Sequence, residues 1–192
     1  YVPTTAQSSQ TACLAGTYNP NTGSTSSSAC GNADAGYYVD QSCQSTPTAC
    51  LAGTYNSNTG STSSSACGNA DAGHYVDQTG QSSPTACLAG TYNPNTGSTS
   101  SSACGNADAG YYVPTTAQTS QTACSLGTYQ QSTGQSSCTD APAGYYVDQT
   151  GQSYFNACSI GTYQALTGQS SCDDADAGYY ASSTAVSSQT DC

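Results

Sequence analysis

The apolar positions of this chain never settle into a helical period. Leu, Ile, Val and Phe number only thirteen in 192 residues, and glycine recurs too often for long helices. Short apolar steps such as Thr54-Tyr55 follow a glycine and precede polar tips such as Asn58-Thr59-Gly60. Thr-Gly and Asn-Thr-Gly steps read as hairpin tips. The pattern predicts short β-hairpins in mostly irregular chain, with no single hydrophobic core. By hydrophobic content alone the sequence would be disordered. Twelve Cys and sixteen Tyr stand against that reading.

The elements recur in tandem. Cys50-Leu51-Ala52-Gly53-Thr54-Tyr55 is repeated from Cys13 and Cys87, with related versions from Cys124 and Cys158. These cysteines lie 37, 37, 37 and 34 residues apart, and Cys192 follows after another 34. A second series, Cys30, Cys67, Cys104, Cys138 and Cys172, steps by 37, 37, 34 and 34. The period shortens where the loop of residues 93–102 is replaced by the shorter 130–137. The repeats are 13–49, 50–86, 87–123, 124–157 and 158–191, with a partial repeat at 1–12 and Cys192 opening an unfinished one.

Each repeat holds two similar halves. One runs Cys124-x-x-Gly127-Thr128-Tyr129, a Thr-Gly turn, then Cys138. The other runs Ala70-x-x-Gly73-His74-Tyr75, then Thr79-Gly80, then Pro84, with the same spacing of 14. That spacing also separates Ala33 from Pro47, Ala107 from Gln121, Ala141 from Phe155 and Ala175 from Gln189. The second half is thus the same unit with both Cys positions replaced. A disulfide closing each half on itself explains why the two cysteines are lost together. This pairs Cys13 with Cys30, Cys50 with Cys67, Cys87 with Cys104, Cys124 with Cys138, and Cys158 with Cys172. The rival register, Cys30 with Cys50 and onward to Cys172 with Cys192, fits the spacing but not the joint loss. Cys43, at the place of Gly80, and Cys192 are left unassigned or interchain. Both ends of the sequence cut through a repeat, which reads as a slice of a longer array.

The unit Cys-x-x-Gly-Thr-Tyr-x-x-x-x-Gly-x-x-x-Cys resembles the ephrin-receptor-like cysteine-rich repeat and the looped module of tumour necrosis factor receptors. Similar arrays occur in protist surface antigens. Those families join units through Cys-x-x-Cys, which here appears only as Cys138-Thr139-Asp140-Ala141 and Pro84-Thr85-Ala86-Cys87. The resemblance therefore carries over no ligand-binding function. It implies an elongated rod of hairpins, with glycines of the Gly16 type and rings of the Tyr18 type beside each disulfide.

Composition then removes whole classes of function. The net charge is -11 with no Lys or Arg, so phosphate-bearing partners lack a cationic counterpart. Anionic lipid surfaces and phosphoryl transfer are disfavoured for the same reason. No apolar run approaches the roughly 20 residues of a membrane span. Cysteines without a neighbouring cation make poor reactive thiols, and oxidised cysteines point outside the cell. Each closed loop is expected to contribute roughly 3 kcal/mol. Tyr rings are expected to supply much of the remaining apolar cover, and residual disorder to be confined to the loop tips.

Ser and Thr crowd those tips and the Pro-Thr steps, a composition that favours O-glycosylation. The candidates are Thr4, Thr5, Thr22, Ser24, Thr25, Thr48, Ser61, Thr62, Thr85, Ser98, Thr99, Thr115 and Thr116. No Asn-x-Ser/Thr sequon occurs, so N-glycans are not expected. Asp34, Asp71 and Asp108 before Ala-Gly, and Asp40, Asp77 and Asp148 after Tyr-Val, recur at fixed places. Ca²⁺ binding is weakly supported there, and at Asp173, Asp174 and Asp176; turn capping is the preferred role. His74 reads as a substitution of a Tyr. No zinc spacing, cofactor site or set of catalytic groups can be assembled.

The sequence reads as a non-enzymatic structural glycoprotein of an extracellular fibril or surface coat, self-associating end to end. A cysteine-rich ligand-binding ectodomain of a receptor or adhesin is the alternative. It requires units that differ at exposed positions, whereas these are near-copies.

Overall fold

The computed structural model describes residues 10–192. Its regular structure, among the described residues, is ten separate two-stranded antiparallel sheets and three single 3-10 turns. Every strand is two residues long: Thr17–Tyr18 pairs with Gly31–Asn32, Tyr37–Tyr38 with Thr48–Ala49, and Thr54–Tyr55 with Gly68–Asn69. The protein is a small disulfide-rich repeat fold of short hairpins. Each half-repeat contributes one hairpin, so the half-repeat is the structural unit.

The chain forms two compact bodies. One takes Tyr1–Ala86 with Asn95–Ala103, the other Cys87–Pro94 with Cys104–Cys192. In both, a hairpin this short is marginal alone. Its main-chain groups are satisfied by the next half-repeat instead, and the same bonds recur. The glycine at the fourth place donates its N–H to the carbonyl at the seventh place of the following half: Gly16 to Val39 at 2.8 Å, Gly36 to Asn56 at 2.7 Å, Gly127 to Val147 at 2.9 Å. The seventh residue donates to the twelfth of the following half, as Val39 to Ser61 at 2.9 Å and Val147 to Gln169 at 3.0 Å. The turn residue at the eleventh place donates back to the first, as Gly60 to Ala33 at 2.7 Å and Gly168 to Ala141 at 2.8 Å. In each body these bonds join a half-repeat to the one beside it in sequence.

Two of these places have the left-handed backbone that favours glycine. The fourth has a positive φ, +84° at Gly53, and lies against the carbonyl of a half-repeat two further along. The eleventh is also left-handed, yet three half-repeats place a side chain there: Cys43 (φ 68°), Ala117 (61°) and Ala185 (61°). An L-residue in this region is disfavoured by roughly 1–2 kcal/mol, against a smaller entropic cost for glycine. Ala117→Gly should therefore stabilise the second body by about 0.5–1 kcal/mol, read as a raised midpoint in urea with an unchanged slope.

The interior is a column of small residues, not of Tyr. The first place of each half alternates Cys and Ala, and the seventh alternates Asn or Gln with Val. Cys50, Val39, Val76 and Ala70 are 0–2% exposed in the first body, as are Cys124, Val113, Val147 and Ala141 in the second. Most Tyr rings are only half-buried on the strands, and Leu14, Leu51 and Leu88 are more than 70% exposed. Tyr therefore flanks the column, because the close backbone spacing leaves no room for a ring inside it.

The expected disorder of the loop tips is corrected by the structure. The three residues that lengthen the first three repeats form 3-10 turns at Ser27–Ala29, Ser64–Ala66 and Ser101–Ala103. The serine before each of the first two caps it, Ser26 accepting from the Ser28 N–H and Ser63 from the Ser65 N–H, both at 3.2 Å. A short hydroxyl side chain competes well for such an orphan N–H.

Candidate functional site

Five disulfides each close one half-repeat: Cys13–Cys30, Cys50–Cys67, Cys87–Cys104, Cys124–Cys138 and Cys158–Cys172. Their Cα atoms lie 5.6–5.8 Å apart, whether the loop spans 17 residues or 14. The hairpin beside the bond is therefore the same in long and short repeats.

The loop is organised from the seventh place, which the sequence reading passed over. Asn56 is 2% exposed; its Nδ2 donates to the Ser61 hydroxyl at 2.8 Å and the Tyr37 carbonyl at 3.0 Å. Its Oδ1 accepts the Asn58 N–H at 3.1 Å. Where the loop is shorter, Gln takes over. Gln164 accepts the Leu166 N–H at 3.0 Å and donates to the Ser171 carbonyl at 2.9 Å, and Gln130 bonds Ser132 and Ser137 in the same way. The longer amide reaches across a loop that has lost its 3-10 turn. The signal was present: Asn19, Asn56 and Asn93 accompany the long loops, Gln130 and Gln164 the short ones. Asn56→Ala strands a buried donor and acceptor and should cost about 1–3 kcal/mol, measurable by chemical denaturation.

The halves without a disulfide replace the covalent bond in different ways. In two of them a Gln clasps the chain beside the first-place Ala. Gln121 Nε2 donates to Asp108 Oδ2 and Gln121 Oε1 accepts the Asp108 N–H, both at 2.7 Å; Gln189 and Asp176 repeat this. In a third, Phe155 packs edge-on between Tyr129 and Tyr145, with ring centroids 4.8 Å away in each case. Pro47 and Pro84 fill the place elsewhere.

Asp34, Asp71 and Asp108 close turns through the backbone, as expected, and not through their carboxylates. The turn before each hairpin is closed by the main-chain carbonyl at the second place, from Asp34 to the Tyr37 N–H as from Leu51 to the Thr54 N–H. Residue type is immaterial to that bond, so Asp side chains are free to face solvent or meet Gln. Among the described residues no group of three or more His, Cys or Asp side chains is placed to hold a metal ion. His74 is half-buried on a strand opposite Ala86, in the place Tyr37 takes opposite Ala49.

The outer surface carries the rest. Cys43 and Cys192 are free and exposed. Thr22, Thr25, Thr48, Thr62, Thr85, Thr99, Thr115 and Thr116 are exposed, whereas Ser24, Ser61 and Ser98 are half-buried. The Ser24 and Ser61 hydroxyls accept bonds from the Asn19 and Asn56 amides at 2.9 and 2.8 Å. Burial sets these serines apart from the exposed threonines as acceptors, although the Thr115 hydroxyl also accepts a bond, from the Gln118 amide at 2.9 Å. Thr4 and Thr5 lie outside the described residues. The threonines of Gly-Thr-Tyr are also occupied, Thr54 Oγ1 donating to the Leu51 carbonyl at 2.7 Å. Open clefts recur beside disulfides: one of about 270 Å³ between Tyr38, Leu51 and the Cys50–Cys67 bond, another of about 360 Å³ between Tyr146, Ser159 and Cys172. No helix among the described residues is long and apolar enough to cross a membrane. No protein-family model matches the chain, and no curated protein is significantly similar to it in sequence.

Proposed function

We propose that the protein is a structural extracellular glycoprotein, an elongated array forming part of a fibril or surface coat. The observation that carries this reading is the interface between half-repeats. It is built from main-chain N–H and C=O groups that recur with the same partners, so it propagates without regard to most side chains. That is how an extended scaffold is made, and near-copied faces leave no distinctive patch for a specific ligand. Five local disulfides suit an oxidising compartment and a chain without a shared core.

The exposed threonines, Thr22, Thr25, Thr48, Thr62, Thr85, Thr99, Thr115 and Thr116, are the O-glycan acceptors in this reading. Glycans there hydrate main chain that so few apolar side chains can cover. In this reading the arrays associate end to end into the fibril.

Intact mass of native, unreduced protein tests the glycans: a mass well above 19.2 kDa is expected, with sugar mapped to the exposed threonines. Electron microscopy of the same material should show filaments. An unmodified mass and a monodisperse compact particle would overturn the reading.

A further inference from the structure

The cysteines divide the chain into two kinds of segment. Loops closed by disulfides span 17 or 14 residues. The chain from one closed loop to the next is always 20 positions: Cys30 to Cys50, Cys67 to Cys87, Cys104 to Cys124 and Cys138 to Cys158; Cys172 and the free Cys192 keep the same spacing. The change of period from 37 to 34 falls wholly inside the closed loops. What varies is shielded by a covalent bond, and what is constant is not.

We propose that the array is an extensible, load-bearing tether, in which the five half-repeats without a disulfide unravel under tension while the disulfide hairpins stay closed. The inference rests on the structural reading above and adds a mechanical function to it. Force along the backbone enters a hairpin at one Cys and leaves at the other, so the load crosses the S–S bond and the loop stays slack. In the intervening 20 residues the load has no such bypass. It falls on two-residue ladders and on single hydrogen bonds between half-repeats. For the half beginning at Ala107 these are Tyr111–Tyr112 with Thr122–Ala123, Gly110 N–H to Gln130, Val113 N–H to Gln135 and Gly134 N–H to Ala107, at 2.8–3.0 Å.

Two further features put the weak link there. All three non-glycine residues at positive φ among the described residues, Cys43, Ala117 and Ala185, sit in halves without a disulfide. Every disulfide-closed half has glycine at the same turn: Gly23, Gly60, Gly97, Gly134 and Gly168. The closures that replace the disulfide, the Gln121–Asp108 clasp and the Phe155 stack, are non-covalent and reversible. Four of these open segments lie between two covalently closed hairpins, which keep the number of residues released per step fixed; the fifth follows the Cys158–Cys172 hairpin and ends at the free Cys192.

Single-molecule stretching of the oxidised 192-residue chain between terminal tags tests this. Five successive steps are expected, each releasing about 20 residues, at most ~70 Å of chain at roughly 3.3–3.6 Å per residue. The steps should return after relaxation. Added reductant should lengthen the final extension by the 17 or 14 residues of each opened loop. Ala107→Cys with Gln121→Cys, closing one open half covalently, should shorten one step by about 50 Å and leave the others unchanged. A single all-or-none rupture, featureless extension, or steps that do not return would overturn the tether. If the disulfides and glycans map as proposed while stretching is featureless, only the mechanical inference falls. If the disulfides pair otherwise, the structural reading falls as well.

Discussion

Gly53→Ala should destabilise the first body by about 3 kcal/mol, far more than an ordinary loop substitution. The backbone at Gly53 has φ +84°, and a Cβ placed there lies 2.5 Å from the Gly97 carbonyl oxygen and 3.0 Å from the Thr99 γ-methyl. The left-handed conformation costs an L-residue roughly 1–2 kcal/mol. Forcing a methyl against neighbouring backbone adds about 1–3 kcal/mol. The two terms separate cleanly in this molecule. Gly60 has φ +67°, but its built Cβ meets only the Asn32 side chain at 3.7–3.9 Å, an ordinary contact. Gly60→Ala should therefore cost only the conformational part, about 1 kcal/mol. Urea unfolding of both variants provides the comparison. Equal losses would mean that half-repeats two apart do not touch at Gly53.

The other large effect is expected from the double variant Cys124→Ala with Cys138→Ala. Their bond closes a loop of 14 residues, and its removal should cost about 3 kcal/mol. Alanine fits the emptied place, since Ala107 and Ala141 occupy the corresponding position fully buried. The loss is then that of the cross-link, with little added from a cavity. A non-covalent closure can be borrowed from the neighbouring half-repeat. Cys124→Ala, Ser125→Asp and Cys138→Gln together rebuild the clasp of Gln121 on Asp108. That triple variant should recover about 1–3 kcal/mol, as expected for charge-assisted hydrogen bonds. No recovery would show that the clasp fills space without holding the loop.

Much of this architecture was legible because the chain copies itself. Joint replacement of Cys at positions 14 apart, as at Ala107 and Gln121, located the half-repeat, and the structure builds one hairpin on each. Recurrent glycines marked left-handed turns, since their spacing repeats with the unit. What could not be read was how one half-repeat meets the next. Those contacts are made by main-chain groups, Gly16 to Val39 or Gly60 to Ala33, and main chain carries no residue signature. The fixed place of Asp34 suggested turn capping through the backbone, and its carbonyl accepts the Tyr37 N–H. The loop tips looked disordered because Ser runs lack apolar residues; there serine caps and the buried Asn56 amide supply the order instead. Of the surface candidates, residue type singled out the Ser and Thr positions. Only coordinates separated exposed Thr62 from Ser61, which is tied to Asn56.

The alternation of covalently closed and open half-repeats underlies the fold, the proposed scaffold and its extensibility. Peptide mapping of the unreduced protein tests it most directly. Trypsin has no site, but chymotrypsin cuts after tyrosines such as Tyr18, Tyr38 and Tyr55 and so separates the cysteines of successive half-repeats. The account predicts fragments joined as Cys13 with Cys30, Cys50 with Cys67, Cys87 with Cys104, Cys124 with Cys138, and Cys158 with Cys172. Fragments joining Cys30 with Cys50 or Cys67 with Cys87 would contradict it.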